Sequence, residues 1–481
     1  MKLETKRFKL LLFLILLFSI TASISQASEL LEICPNPYGS DDAEYVKLFV
    51  NTPCTLTDGE GAIKINKSGI VFVAKNSSAF YDEFGIKADY EFPKRFALSN
   101  NGESVILIEN NSVVDEFYYS KASEGLVYFK RNGSWTFKYQ DWSDFDTVKD
   151  FVKGRIIITP CSYNFRCNED ALIASYTFTN VELLKNLNNV EIFVDATPTG
   201  GVPVEEMEIS RICKVSFLKA NSYKNFHYKF GLCGNKVVIT TENWVWHNRG
   251  YIVEFESEKV ARFLKNVLYH DKKYESSPGK VSKLSFAKNG YANGKEFDFE
   301  GYIEVFVIPD RNPILEIMSS SNQRLYIQTP YINFGFYNKT PILDSIKKSA
   351  KNAEVKVLLD SRYNKEENIK TAEFLNRIAK IYGLNIEARL VNPNHFDSLH
   401  GKMVISDDKV VITSANFNMY GFKLNREIGV VIYNKEVSDF LAEQFLEDFG
   451  YEKKMDYTSL FPFIALMVIA LFIVVKALRR F

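Results

Sequence analysis

Two segments of the chain carry the same reactive side chains at the same spacing. Residues 227–244 read HYKFGLCGNKVVITTENW, and residues 400–417 repeat the pattern without a gap as HGKMVISDDKVVITSANF. Each copy holds a His, a Lys two residues later and an Asn sixteen residues after the His. Ammonium groups and amides suit the oxygens of a phosphoryl group, and two imidazoles can divide nucleophilic and acid–base work without a metal or cofactor. The pattern predicts one site made of two half-sites, with the candidate catalytic residues His227, Lys229, Asn243, His400, Lys402 and Asn416.

The elements around these residues favour an α/β fold. The His and Lys of each copy lie two residues apart in an apolar, β-branched segment, so both side chains are expected on one face of a strand. A short turn follows, and the strand KVVIT then runs back antiparallel to the first strand. This brings the Asn to the end of the sheet where the His and Lys lie. Upstream, residues 190–195 and 355–360 read as buried parallel strands. Strands alternating with helices before each hairpin predict a mixed sheet with covered faces.

The second copy matches a known signature. HGKMVISD (400–407) resembles the H-x-K-x4-D motif of the phospholipase D superfamily, and TSAN (413–416) resembles its downstream S-x-N element. The resemblance covers about residues 155–455. It implies a duplicated phospholipase D-like α/β sandwich, with repeats at 156–300 and 301–456. It also implies a phosphodiesterase that works through a phosphohistidine intermediate.

The two copies differ in their acidic residues. The resemblance gives Asp407 and Glu427 supporting roles, and Glu427 is expected to hydrogen-bond the His of its own copy. The first copy has Gly234 in place of Asp407. Alignment on the shared Asn-Arg dipeptides puts Gly250 opposite Glu427, whereas an ungapped alignment puts Glu254 opposite Glu427. The first alignment predicts a first copy without either acidic support, and which His is the nucleophile stays open.

A separate domain is expected at residues 28–155. Short β-like runs alternate there with Asn, Gly, Ser and Asp turns, which predicts an all-β sandwich. PNPYGSDDAEYVKL (35–48) and ALSNNGESVILIE (97–109) resemble the lamin-tail domain, an immunoglobulin-like module. The domain contains no His. It is therefore expected to bind a surface or a partner protein.

Both ends of the sequence predict a membrane location. Residues 1–27 have a basic start, an apolar run and small residues around Ala27, which is typical of a signal peptide; a retained N-terminal anchor is the alternative. Residues 459–478 form an apolar run long enough to span a bilayer. Arg479 and Arg480 follow it and favour a short cytoplasmic C-terminus. We expect a single-pass membrane protein whose body lies outside the cytoplasm.

The cysteines fit an exported chain. Their number is even, and all lie between the two apolar ends, which suggests disulfides. Their grouping in the sequence favours three local pairs. These are Cys34–Cys54, Cys161–Cys167 and Cys213–Cys233.

Composition favours phospholipid over nucleic acid as the phosphodiester substrate. The chain has 59 basic and 59 acidic residues and no long Lys/Arg block, whereas nucleic-acid binders usually carry a basic surface. The leading hypothesis is a membrane-anchored phospholipase D-like enzyme that hydrolyses phospholipid or exchanges its head group. The alternatives are an exported, metal-independent nuclease of the same superfamily and a catalytically dead surface-binding protein.

Overall fold

The computed structural model describes residues 27–282, 294–336, 339–392 and 396–450. The expected membrane span and, apart from Ala27, the expected signal peptide lie outside these residues. Within the described ranges, no helix is both long enough and apolar enough to cross a membrane.

The chain divides into two compact units, residues 1–142 and 143–481. The boundary expected at residue 155 is therefore too late. The segment Val148–Ile158 forms a strand that pairs with two strands of the second unit, at Tyr251–Glu256 and Lys295–Ile308. These backbone hydrogen bonds tie residues 143–155 to the second unit.

The first unit has two sheets that share a core. Their orders are β10-β9-β1-β2-β5-β6 and β4-β3-β7-β8, with antiparallel pairing except between β5 and β6. Apolar residues alternate along the strands, and Val46, Leu56 and Leu107 from both sheets meet in one buried cluster. The likeness to a lamin-tail domain stays a prediction. The elements of this unit are β1 Glu29–Asn36, a 3₁₀ turn at Asp41–Ala43, β2 Tyr45–Val50, β3 Cys54–Thr57, β4 Ala62–Ile65, β5 Gly69–Ala74, α1 Ser77–Phe84, β6 Tyr90–Glu91, β7 Glu103–Glu109, β8 Ser112–Tyr119, β9 Leu126–Arg131 and β10 Ser134–Tyr139.

The second unit is built on one mixed sheet of 14 strands. Its strands are β11 Val148–Ile158, β12 Cys167–Ala174, β13 Leu187–Asp195, β14 Lys214–Leu218, β15 Phe230–Cys233, β16 Lys236–Thr240, β17 Tyr251–Glu256, β18 Lys295–Ile308, β19 Arg324–Thr329, β20 Glu354–Leu359, β21 Ile386–Leu390, β22 Met403–Ser406, β23 Lys409–Thr413 and β24 Glu427–Tyr433. Its helical elements are a 3₁₀ helix at Val181–Asn186, α2 Val204–Ile209, α3 Glu258–Asp271, a 3₁₀ turn at Lys272–Tyr274, α4 Ile314–Ser319, α5 Pro341–Ser349, α6 Lys365–Tyr382, a π-helical turn at Tyr420–Leu424 and α7 Lys435–Phe449.

The order of these strands repeats the duplication in the sequence. It runs β14-β13-β12-β15-β16-β17-β11 and continues as β18-β24-β23-β22-β19-β20-β21. Read outward from the central β11–β18 pair, the two halves have the same connectivity. Strands β15 and β22 therefore take equivalent places, and each begins just after a His-Lys segment. The α/β expectation is confirmed, and the β18 strand crosses the boundary expected at residue 300.

The helices that cover the two halves are unequal. In the second repeat α5 and α6 pack on the parallel strands β19 and β20, and Ile342, Leu375 and Val357 share one buried cluster. In the first repeat the corresponding connections are the 3₁₀ helix 181–186 and the six-residue α2. Helices α3 and α7 do correspond. Each begins after a polar cap, since Ser257 accepts the Val260 N–H and Asn434 accepts the Val437 N–H.

The disulfide expectation is wrong in its pairings. One disulfide joins Cys167 and Cys233, which are 66 residues apart in sequence. The antiparallel pairing of β12 with β15 brings these cysteines together, with 5.7 Å between their Cα atoms. Nearness in the sequence predicted other cysteine pairs, because it carries no information about which strands lie side by side. The remaining thiols are free, at Cys34, Cys54, Cys161 and Cys213.

Candidate active site

The two His-Lys segments lead directly into β15 and β22. The Lys two residues after each His turns back on its own segment, because Lys229 Nζ donates to the His227 carbonyl at 2.8 Å and Lys402 Nζ donates to the His400 carbonyl at 2.7 Å. Neither lysine side chain is exposed. Each repeat therefore fixes an imidazole and an ammonium group side by side at the same end of its hairpin.

Each imidazole is bound by a carboxylate from the other repeat. His227 Nδ1 lies 2.9 Å from Glu427 Oε2, and His400 Nδ1 lies 3.1 Å from Glu242 Oε1. The expectation that Glu427 holds the His of its own copy is wrong, because the central strand pair places the two repeats face to face. The expectation that the first copy has no acidic support is wrong as well, since Glu242 supplies it.

The surroundings of the two carboxylates are alike. The Asn of each Asn-Arg dipeptide donates to the carboxylate of its own repeat: Asn248 Nδ2 to Glu242 at 3.1 Å, and Asn425 Nδ2 to Glu427 at 2.9 Å. A hydroxyl from the turn also contacts each one, from Thr241 in the first repeat and from Ser414 in the second. Both acids are fully buried, and the bound imidazoles together with these donors lower the pKa of each carboxyl against the opposing effect of burial.

The ungapped alignment that paired Glu254 with Glu427 is excluded by the strand register. Glu254 pairs with Val238 inside the sheet and forms ion pairs with Lys236 and Arg155. It is part of the strand surface and has no contact with either imidazole.

The carboxylates set the state of the imidazoles. Each carboxylate accepts a hydrogen bond from Nδ1–H, which leaves the lone pair of each ring on Nε2. Burial lowers the pKa of His227 to about 4, against the opposing effect of Glu427. Burial and the neighbouring Lys402 also lower the pKa of His400. A neutral imidazole with a free Nε2 is suited to nucleophilic attack, and the same ring protonated at Nε2 is suited to donate a proton.

The two ammonium groups form a site for an anion. Burial lowers the pKa of Lys229 to about 8. Burial together with the charge of Lys229 lowers the pKa of Lys402 to about 7. Two buried cations that repel one another are stabilised by an anion between them. A phosphoryl group carries the negative charge that would stabilise the two ammonium groups.

The candidate amides follow the turns after β16 and β23. Among the described residues, Asn243 Oδ1 and Asn416 Oδ1 are buried and have no hydrogen-bond partner. Each Asn lies two residues after Thr241 or Ser414, whose hydroxyls contact the carboxylates. Asn243 and Asn416 therefore belong to the same turns as these hydroxyls, and each has a buried amide oxygen without a partner.

Asp407 lies outside this site. It is at the hairpin tip between β22 and β23, at the end of β22 remote from His400. Its carboxylate accepts backbone N–H groups from Asn322, Gln323 and Arg324. Its φ of +53° matches the +57° of Gly234 in the first repeat, so the two residues form the same left-handed turn.

Three further residues shape the site and were missed in the sequence. The Tyr176 ring lies 4.7 Å from the His227 ring and covers it. Asp195 at the end of β13 accepts the N–H of Phe226, and Asp360 after β20 accepts the N–H of Leu399. Each Asp thus fixes the residue just before a candidate catalytic His. The repeated Asp that ends both VEIFVD and VKVLLD was the available signal.

The described residues hold no group of three or more His, Cys, Asp or Glu side chains arranged to bind a metal ion.

Part of the chain is similar to known proteins. Residues 314–449 match the family model described as "Cardiolipin synthase, PLD-like domain". The cardiolipin synthase of Clostridium perfringens (strain 13 / Type A) is 29% identical over 145 residues, which are 29% of this chain and 28% of that protein.

Two other similar proteins give the extent of the likeness. The protein named cardiolipin synthase 2 of Staphylococcus epidermidis (strain ATCC 35984) is 30% identical over 145 residues, which cover 29% of this chain and 28% of that protein. The solved phosphatidylserine synthase of Haemophilus influenzae Rd KW20 has a TM-score of 0.44 and 14% identity, over 59% of this chain and 81% of that one. The chain thus spans less than a third of the length of the curated relatives it matches. Residues 314–449 therefore form a phospholipase D-like domain.

Proposed function

We propose that the protein is a phospholipase D-like phosphodiesterase that acts on phospholipid, by hydrolysis or by transfer of the phosphatidyl group to another alcohol. One observation carries the proposal: two imidazoles, each bound by a carboxylate of the other repeat, lie beside two buried ammonium groups. Phospholipid is favoured over nucleic acid because the matched relatives are named cardiolipin synthases. The equal numbers of acidic and basic residues agree with that choice.

The proposed reaction has two steps. His227 Nε2 attacks phosphorus and forms a P–N bond, the P–O bond to the head-group alcohol breaks, and His400 gives its proton to the leaving oxygen. Water or another alcohol then loses a proton to His400 and attacks phosphorus, which breaks the P–N bond. Lys229, Lys402 and the two amides bind the non-bridging oxygens.

The assignment of the two histidines follows from their surroundings. His227 has the imidazole with the strongly lowered pKa, so it is neutral at ordinary pH and able to attack. The His400 side chain is 27% exposed, against 9% for His227. The leaving alcohol and the incoming water must exchange with solvent, which suits the imidazole that solvent reaches. An anionic substrate between the lysines also favours the protonated form of His400.

The test is a parallel assay of the full-length protein in detergent with chelator, using phospholipid vesicles, DNA and a chromogenic phosphodiester. Phosphatidic acid and free head-group alcohol should form from the vesicles, and Lys402→Met should abolish this activity. Lys153→Met is the matched control, since Lys153 is 82% exposed. Cleavage of DNA without phospholipid turnover would favour the nuclease, and no turnover of any substrate would favour a binding protein.

The same proposal includes the location of the site. The body lies outside the cytoplasm and residues 459–478 hold it at the membrane. The apolar sequence of that segment supports this, as does the Cys167–Cys233 disulfide, because disulfides persist in oxidising compartments. Protease added to intact cells should digest residues 28–450; their protection would contradict the proposed orientation.

A further inference from the structure

Glu242 and Glu427 reach equivalent places from different backbone positions. Glu427 is the first residue of β24, and the residue at the same register in the first repeat is Gly250. The pairing shows this, because Thr240 of β16 pairs two residues past Gly250 and Thr413 of β23 pairs two residues past Glu427. The acid of the first repeat is therefore absent from the strand position where the second repeat carries it.

The first repeat carries its acid in the preceding turn. Glu242 occupies the position at which the second repeat has Ala415. The two turns have the same backbone path, since the Glu242 N–H donates to Thr240 Oγ1 at 3.1 Å and the Ala415 N–H donates to Thr413 Oγ1 at 3.2 Å. The repeats differ here in which of two positions carries the carboxylate, and the turn itself is unchanged.

Gly250 leaves the space that the Glu242 carboxylate fills. A Cβ atom at position 250 would lie 2.2 Å from Glu242 Oε1, 2.7 Å from Thr241 Oγ1 and 2.9 Å from Glu242 Cδ. All three distances are far inside van der Waals contact. The two positions consequently share one carboxylate site, and a side chain at position 250 is compatible with the fold only if the side chain at position 242 is shortened and the Thr241 hydroxyl turns away.

We propose that the acid that supports His400 has been transposed in the first repeat, that is, it is carried at position 242 instead of position 250. Glu242 is a positioning residue for this imidazole, and Gly250 is required to leave room for its side chain. The pair does the work that Ala415 and Glu427 do for His227. Its importance for turnover rests on the proposed function, whereas its effect on the imidazole itself does not.

The experiment compares Glu242→Ala, Glu242→Gln, Gly250→Glu and the double variant Glu242→Ala/Gly250→Glu in the full-length protein in detergent. Two readouts are needed: turnover of the chromogenic phosphodiester, and the pKa of His400 from the pH dependence of deuterium exchange at its imidazole carbon, measured by mass spectrometry. The second readout does not require the protein to be active. His270, whose ring contacts Asp271, serves as the internal reference.

Both Glu242 single variants should lower the pKa of His400 below its native value, because a carboxylate stabilises the imidazolium, and should reduce turnover by about 100-fold or more. Gly250→Glu alone should also impair the protein, since two carboxylates then compete for one site. The double variant should restore the pKa of His400 and most of the turnover.

Two outcomes would overturn the transposition. One is a folded double variant whose turnover and His400 pKa are as low as those of Glu242→Ala. The other is an unchanged His400 pKa in Glu242→Gln, which needs no change of shape and keeps the test decisive if the double variant does not fold. If the native protein hydrolyses no phosphodiester, the proposed function fails, and the titration of His400 still decides the transposition.

Discussion

Arg426 of the second repeat forms a buried ion pair with Asp271, the last residue of helix α3 in the first repeat. Arg426 Nε lies 2.8 Å from Asp271 Oδ2, and neither side chain is exposed. The Arg426 carbonyl also accepts the N–H of His227 at 2.8 Å. Arg426 thus links the end of helix α3 to the backbone of His227, a candidate catalytic residue.

The opposite repeat has the same arrangement. Arg249 donates to Asp448, which occupies in α7 the place that Asp271 occupies in α3, with 3.1 Å between Nη2 and Oδ1. The Arg249 carbonyl accepts the N–H of His400 at 2.9 Å. Each half of the duplication therefore positions the histidine of the other, which explains why one repeat alone would make an incomplete site.

Asp271→Asn tests this coupling. Asp271→Asn leaves Arg426 with Asp310 as its remaining buried carboxylate. We expect a loss of about 2 kcal/mol in unfolding free energy, as for a hydrogen bond to a charged group, together with reduced turnover because the His227 segment loses part of its support. Thermal unfolding and the chromogenic assay measure the two effects. Glu258→Gln on the same helix is the control, since its pair with Arg262 is exposed and should contribute little. Equal effects of the two substitutions would contradict the coupling.

Much of the site could be predicted from the sequence because the His, Lys and Asn recur at one spacing. The partners of the imidazoles could not, since they come from the other repeat, 200 residues away for His227 and 158 for His400. Residue-by-residue comparison also places Glu242 opposite Ala415, where no acid is expected. A signal was nevertheless available. The first repeat has Gly250 where the second has Glu427, and it has an additional acid, Glu242, in the preceding turn.

The disulfide Cys167–Cys233 should stabilise the second unit. Closing a loop of 66 residues restricts the unfolded chain and contributes about 4 kcal/mol. Cys167→Ser should lower the melting temperature and abolish its dependence on reductant, whereas Cys213→Ser should leave that dependence intact. Mass spectrometry of the alkylated native protein should find four free thiols. A melting temperature insensitive to reductant in the native protein would contradict the linkage.

Asp407 and Glu427 should behave differently on substitution. Asp407→Gly keeps the left-handed turn, as Gly234 does, and loses only bonds to backbone N–H groups near the surface. We expect it to cost about 1–2 kcal/mol of stability and to change turnover little. Glu427→Gln should reduce turnover by about 100-fold or more, because His227 loses the carboxylate that fixes its tautomer. The reverse order of effects would refute this assignment.

The pH dependence of kcat/KM should report the two lysines. Their pKa values lie near 7 for Lys402 and near 8 for Lys229, so each ammonium is charged below its value and neutral above it. Binding of a phosphodiester needs the charged forms, and we expect kcat/KM to fall as the pH rises from about 7 to 9. The stabilisation of the protein by inorganic phosphate should decline over the same range. A flat profile from pH 6 to 9 would show that these ammonium groups do not bind the substrate.

The division of labour between the histidines can be tested by trapping the intermediate. A nitrophenyl phosphodiester has a leaving group that needs no protonation, so His400→Ala should still complete the first step. The second step then lacks the base that activates water, and the phosphohistidine should accumulate on His227. The expected result is a burst of nitrophenolate near one equivalent per protein molecule, followed by slow turnover. An alkaline quench and peptide mass spectrometry should place the label on residue 227. His227→Ala should give neither burst nor label, since no nucleophile remains in the first repeat. A labelled His400 in that variant would reverse the two roles, and it would mean that solvent exposure rather than the lowered pKa decides which imidazole attacks.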